Sequence, residues 1–495
     1  MKRLLAAGAA CLAMTAAVGA RAQDPAPMDQ PRDWSATLVQ DANGLHDLMV
    51  DSHPGAVDPL NPAFRPRLDQ GLAVALDRAR TTTDAGGWWW ALRAYVASFE
   101  DGHVGINVTQ PGFGFPTRWP GFLTVYRADQ VVADRDAGDA AAPPLGARLI
   151  DCDGVGAEAL AEQRVGQFRG RWFLESQRAV FGDWVFLSAQ NPWTGEMRQC
   201  RFDLDGATRT YDLTWRTVPD DLGARRAQLS QSGAGAIGAQ TLADGGVWVS
   251  ASSFDGDPSS AAHARLTALI SALQADQAAL RAAPYVVLDL RGNGGGSSHW
   301  SELMAQILWG DDWMAAHVDQ AAQFVEWRAS DGNLAEMTGF RDRLRDAGEQ
   351  PQLVAWADRA VAGMTAARAA GQPYWRDGDD TAEAASPAPD APRLMAGRVF
   401  ILTDASCASA CLDAVDLWKM AGAVQVGRET SADTVYMDIR NPVLPSGLAQ
   451  IALPMKVYRG RARGNNEPQR PTHLFDGDMA DDAALQAWIA GLTAR

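Results

Sequence analysis

Lysine is almost missing from this chain, with three residues in 495: Lys2, Lys419 and Lys456. Positive charge is short altogether, 44 Lys and Arg against 60 Asp and Glu, and the net charge is −16. A nucleic-acid partner is therefore not expected, because affinity for phosphate backbones needs a basic footprint. Beyond the N-terminus no apolar run approaches the roughly 18 residues of a membrane span. Cysteine is scarce as well, at five residues. None of them shows two-residue CxxC spacing with a nearby histidine, so no metal and no other cofactor is expected. At 47% hydrophobic residues with 47 Gly and 26 Pro, collagen-like, coiled-coil and wholly disordered chains are excluded.

The first residues have a signal's order. Lys2 and Arg3 precede an apolar run from Leu4 to Val18, and Ala20-Arg21-Ala22 follows. This predicts a secretory signal over 1–22, an exported periplasmic or secreted protein, and no integral membrane segment after cleavage. Losing Lys2, Arg3 and Arg21 takes the net charge from −16 to −19. Four cysteines then remain, Cys152, Cys200, Cys407 and Cys411, and they allow three connectivities. Cys152–Cys200 is favoured because both lie in one β-rich region. Cys407–Cys411 is conceivable, with strained geometry as its risk.

Three regions follow. Residues 23–110 read as a helical domain, with apolar residues at helical spacing over Trp34–Leu48 and Phe64–Leu92. Residues 111–220 change to short alternating runs between turn signals such as Asp153-Gly154 and Asp205-Gly206, a small β-rich domain. Residues 230–495 alternate strand and helix, an α/β core. Within it, 298–375 reads as a helical insertion, and 377–392, rich in Asp, Ala and Pro, as a flexible loop. The Trp and Met residues of the insertion (Trp309, Trp313, Met314, Trp327, Met337) suit either a roof over a cleft or plain core.

Two stretches carry chemistry. Asp289-Leu-Arg-Gly-Asn-Gly-Gly-Gly296 directly follows the buried run Tyr285–Leu290. Consecutive glycines allow positive φ and close backbone approach, and their N–H groups can form a nest for negative charge. A phosphate loop would end in Lys-Ser/Thr, which is absent. The second stretch, Ile401 to Asp413, runs from a strand through small residues into an apolar-periodic helix. A serine at such an elbow, Ser406 or Ser409, is either a helix N-cap or an exposed nucleophile beside the positive helix end.

Together these stretches resemble the C-terminal-processing (tail-specific) serine peptidase family, which includes the tricorn core protease. Asp289, Arg291, Asn293, Gly295 and Gly296 match its Asp-x-Arg-x-Asn-x-Gly-Gly motif, and Cys407-Ala-Ser-Ala-Cys411 its nucleophile turn, with Ser409 as nucleophile. The resemblance implies a crotonase-like ββα peptidase core, a PDZ-like β-rich domain matched weakly by Gly146–Gly154, and a peptide or protein substrate. Its better-known bacterial members use a Ser–Lys dyad with the lysine about 25 residues after the serine. Here that segment, Gly427–Thr434, has none. Lys419 lies about 15 Å along the same expected helix, and arginine does not deprotonate to serve as base.

Histidine is the natural replacement near neutral pH. His103, in Phe99-Glu-Asp-Gly-His-Val-Gly-Ile106, is similar to the Asp-x-His motif of tricorn-like members, where that histidine is the base; His299, after the glycine run, is the reserve. The same resemblance points to Glu467 as the acid that orients the imidazole, and sets Gly102 where tricorn-like members place a serine. The expected reaction is acyl transfer, with the Ala410 N–H and that of Gly294 or Gly295 holding the oxyanion. Two other readings stand beside it: a catalytically inactive member that binds a peptide or apolar ligand, and a Ser–Lys peptidase using Lys456. Oligomeric state is not legible in the sequence.

Overall fold

The computed structural model describes residues 27–229, 233–317, 324–346, 351–378 and 392–493. The signal over 1–22 and most of the 377–392 loop lie outside them.

The core sheet runs Gly238–Thr241, Val247–Ser250, Tyr285–Asp289, Arg398–Thr403, Val424–Gly427 and His473–Leu474 in spatial order, antiparallel in the first pair and parallel thereafter. Tyr285–Asp289 is buried along its whole length. Its alternate residues feed two separate cores. Val286 and Leu288 pack under the helices Ala261–Ala275, His299–Trp309 and Ala410–Met420, whereas Tyr285 and Val287 face the C-terminal helix Asp482–Thr493. A strand covered on both faces reads as a continuous apolar run, which is how Tyr285–Leu290 reads in the sequence. Leu288 pairs with Ile401 and Asp289 with Leu402, so the loops leaving these neighbouring parallel strands emerge together at their C-terminal ends.

The N-terminal helices are Trp34–Ser52, Phe64–Ala79 and Ala85–Ala97, and Asp33 and Asp84 cap the first and third. They share one core with Leu444, Leu448, Ile451 and Leu453 from the far end of the chain. The buried Asp41 fixes that meeting, accepting bonds from Trp88 Nε1 (2.8 Å) and from the Ser446 N–H (2.9 Å) and Oγ (2.7 Å). Burial pushes the Asp41 pKa up against these bonds.

A second sheet extends the contact. Gly105–Val108 pairs antiparallel with the strand Ala449–Arg459, which also pairs with Phe324–Arg328 and Tyr436–Arg440. Phe324–Arg328 lies inside the block expected to be helical, and its partner Tyr374–Asp377 straddles the end of that block. Their runs are too short to show a period, and pairing made them strands. The insertion's aromatics are core: Trp309 and Trp327 are buried, and Met337 packs with Trp327. None of the three forms a roof.

The β-rich region is an antiparallel sheet of Phe122–Arg127, Asp129–Arg135, Arg148–Cys152, Gln199–Leu204 and Ala207–Asp212. Cys152 and Cys200 pair across neighbouring strands and are disulfide-bonded. Cys407–Cys411 is bonded too, so a separation of four is bridged at the strand–helix elbow.

Candidate active site

Ser409 stands at the N-cap of Ala410–Met420 with φ 55° and ψ −124°. An L-residue there costs about 1–3 kcal/mol, and such strain persists only when the surroundings enforce it. Its hydroxyl does not cap the helix. Instead Ser409 Oγ lies 3.5 Å from His103 Nε2, at the outer edge of hydrogen bonding. Ser406 is not at the elbow tip; its N–H donates to Asp404 Oδ1 at 2.9 Å. His103 arrives from the third N-terminal helix, two residues before the strand whose Gly105 pairs with Ala452. That long-range pairing carries the imidazole to the core.

The motif Asp289–Gly296 builds the opposite wall. The buried Arg291 binds Asp289 and donates to the Met479 carbonyl and Asp482. Asn293 donates through Nδ2 to the Ala251 carbonyl at 2.7 Å and accepts the Gly295 N–H at 2.8 Å. This corrects one expectation: the Gly295 N–H is taken by Asn293 and is not aimed at an oxyanion. Among the described residues no partner takes the N–H of Gly294 or of Ala410, and a side chain on Gly294 would meet open space.

Gly295 has a different duty. At φ +102° a Cβ on it would lie 2.7 Å from the Ala408 carbonyl and 2.8 Å from Ser409 Cβ. Gly295→Ala should push the elbow away and lower the rate of covalent labelling at Ser409 by about 100-fold, since shifts near 1 Å cost that much. Circular dichroism should remain that of the parent.

Asp101 is the residue that reasoning from sequence passed over. Its side chain is buried, and Oδ1 accepts the His103 N–H at 2.8 Å and lies 3.9 Å from His103 Nδ1. Oδ2 accepts from Thr434 Oγ1 at 2.9 Å and lies 3.6 Å from the wholly buried His53 Nε2. Burial opposes charge on Asp101, yet His53, His103 and the His103 N–H together hold its pKa below the ordinary carboxylate value. Its signal was its place two residues before His103 in the quoted motif.

The comparisons with known proteins fit this geometry. Residues 249–465 match the model of peptidase family S41. By sequence alone no curated protein matches it. Among solved structures, mature CPAF superposes with a TM-score of 0.60 at 13% identity, covering 93% of this chain and 97% of that one. Mature CPAF complexed with lactacystin gives 0.59 at 13% identity, over 93% and 98%. At such identity the likeness is one of fold.

Neither described lysine is engaged with Ser409. Lys456 Nζ lies buried in the second sheet, 2.8 Å from Asp438 Oδ2 and near the rings of Trp327 and Tyr458. Lys419 Nζ donates to Gln469 Oε1 at 2.6 Å in an exposed position. His299, the reserve base, begins the helix after the glycine run; burial lowers its pKa, and no bond joins it to Ser409. Gly102 is covered by Arg171 of the β-rich region: a Cβ there would meet the guanidinium at 2.9 Å. Arg171 also donates to the Ala432 carbonyl.

Glu467 is not brought onto His103 in this conformation. It is exposed, and its Oε2 accepts the Gly464 N–H at 2.8 Å, a local turn bond that draws the carboxylate back along its own loop. The loop itself is close: Asn466 Nδ2 donates to the Glu100 carbonyl at 2.8 Å. The buried Arg463 anchors it to Asp413 (3.1 Å) and Asp416 (2.9 Å). Among the described residues, His103 Nδ1 is buried without a hydrogen-bond partner.

His53 makes the fold sensitive to acid. Burial lowers its pKa, against the opposing pull of Asp101, and Nδ1 accepts the Gly55 N–H at 3.0 Å. The unfolded chain therefore binds a proton near pH 6 that the folded chain refuses. This contribution is complete above the unfolded value of about 6.5 and declines as pH falls below it, by up to about 1.4 kcal/mol per pH unit. The depressed pKa of Asp101 acts with the same sign lower down, giving stability present above about 3.9 and lost as pH falls through the folded value. Thermal unfolding midpoints should fall on acidification through about pH 6, and His53→Gln should flatten that slope.

Proposed function

We propose that this chain is an exported serine peptidase that hydrolyses peptide bonds through an acyl-enzyme on Ser409. The reading rests on one observation, the 3.5 Å approach of His103 Nε2 to the hydroxyl of a strained elbow serine 306 residues away. Ser409 Oγ attacks the scissile carbonyl carbon as His103 Nε2 accepts its proton. The oxyanion is met by the Ala410 and Gly294 N–H groups, one such donor being worth about 100–1,000-fold in rate. His103 returns the proton to the leaving amine, then deprotonates the water that cleaves the ester.

Glu467 is proposed as the carboxylate that bonds His103 Nδ1 once its turn bond to Gly464 opens. Three facts favour it over Asp101. Both Asp101 oxygens already accept bonds, 3.9 Å is too long for one more, and Asn466 holds the Glu467 loop beside Glu100. Asp101 then serves to fix the His103 loop. Export accords with two disulfides, which persist in oxidising compartments, and the β-rich region is read as PDZ-like. The inactive-binder reading is carried by the retracted Glu467. The deciding test is a fluorophosphonate on the native chain with mass mapping of the adduct. A single adduct on Ser409 is expected; no adduct at any pH would leave the binder.

A further inference from the structure

We infer that the Cys407–Cys411 disulfide is a positioning clamp for the nucleophile, an inference that rests on the serine-peptidase reading. Ser409 is the middle residue of the five that the bond encloses, and both sulfurs belong to fully buried residues. The elbow needs such a tether for two reasons. Its central residue sits at φ 55°, ψ −124°, a conformation that the chain leaves when unrestrained. And Ser409 gives no side-chain cap to its helix, because its hydroxyl faces His103; a first turn without its cap frays more readily.

Other contacts hold the elbow from outside. The Ala408 N–H reaches the Asn293 carbonyl at 3.3 Å, the Ser431 N–H donates to the Cys407 carbonyl at 3.0 Å, and Gly295 packs beneath. Besides the backbone itself, the disulfide adds a second covalent link between the strand side of the turn and the helix side. It fixes Ala410, whose N–H is an oxyanion donor, together with the serine. A bridge spanning four residues removes little freedom from the unfolded chain, whereas Cys152–Cys200 spans 48. The two bonds therefore separate by effect: the long one serves global stability, and the short one serves local geometry.

The test uses the full chain and two double variants, Cys407→Ala with Cys411→Ala, and Cys152→Ala with Cys200→Ala. The first should slow fluorophosphonate acylation of Ser409 by about 10–100-fold with little change in melting temperature. For peptide cleavage kcat should fall while KM holds. The second should lower the melting temperature and leave acylation unchanged. Hydrogen exchange at the Cys411 and Leu412 amides, which bond Ala408 and Ser409 carbonyls, should quicken only in the first variant. Acylation and exchange both at the parent rate would overturn the clamp. Should the first variant fail to fold, Cys411→Ser, which keeps the volume, carries the same readouts; its failure to fold would also overturn the inference, making the bond a folding element. A parent chain that never labels defeats the peptidase reading instead, and the exchange measurement still decides the clamp.

Discussion

Ser409→Ala should eliminate fluorophosphonate labelling and lower peptide turnover by about 10⁴–10⁶-fold, with His103→Ala nearly as severe and the double variant no worse than either. The non-additivity matters most. A nucleophile and its base act as one unit, so removing either removes the attack, and the remainder comes from the oxyanion donors and substrate binding. Melting temperatures should not fall, since Ser409→Ala deletes one oxygen from a residue whose backbone conformation is costly. Labelling that moves to Ser406, or a His103→Ala chain that keeps its rate, would break the proposed pair. Loss of activity in Lys456→Ala with His103→Ala intact would restore the lysine reading, against the pairing of Lys456 with Asp438.

The second large effect concerns the other ring nitrogen of His103. Glu467→Gln should lower kcat by about 100–10,000-fold with an unchanged circular dichroism spectrum, because the imidazolium formed during attack loses its counter-charge and its fixed tautomer. Glu467 is exposed and, among the described residues, bonded only within its own turn, so stability should be nearly untouched. Asp101→Asn should behave differently, lowering the melting temperature as well as the rate, because it weakens a buried site that binds Thr434 and the His103 N–H. A fully active Glu467→Gln beside an Asp101→Asn chain that folds normally but turns over slowly would transfer the orienting role to Asp101.

Much of this site was legible before any coordinates. The buried strand Tyr285–Asp289 and the elbow at Arg398–Met420 announce themselves through continuous apolar runs, glycine and small residues. The sequence also showed that the segment Gly427–Thr434, where the resembling family's bacterial members place their lysine, holds none. The strands Phe324–Arg328 and Tyr374–Asp377 were not legible, because a short edge segment has no period and becomes a strand through its partner. Nor was the loss of the Gly295 N–H to Asn293, which depends on a side-chain rotamer.

The sequence by itself determined the chemical types available, a hydroxyl at an elbow, one imidazole in a family motif and a glycine run, because these follow from local backbone preference and residue identity. Only the tertiary structure decided which of them meet. His103 reaches Ser409 because Gly105–Val108 finds its partner in Ala449–Ala452, more than 300 residues away. Pairing at that range is set by shared burial and sheet register, and no local window of sequence contains it.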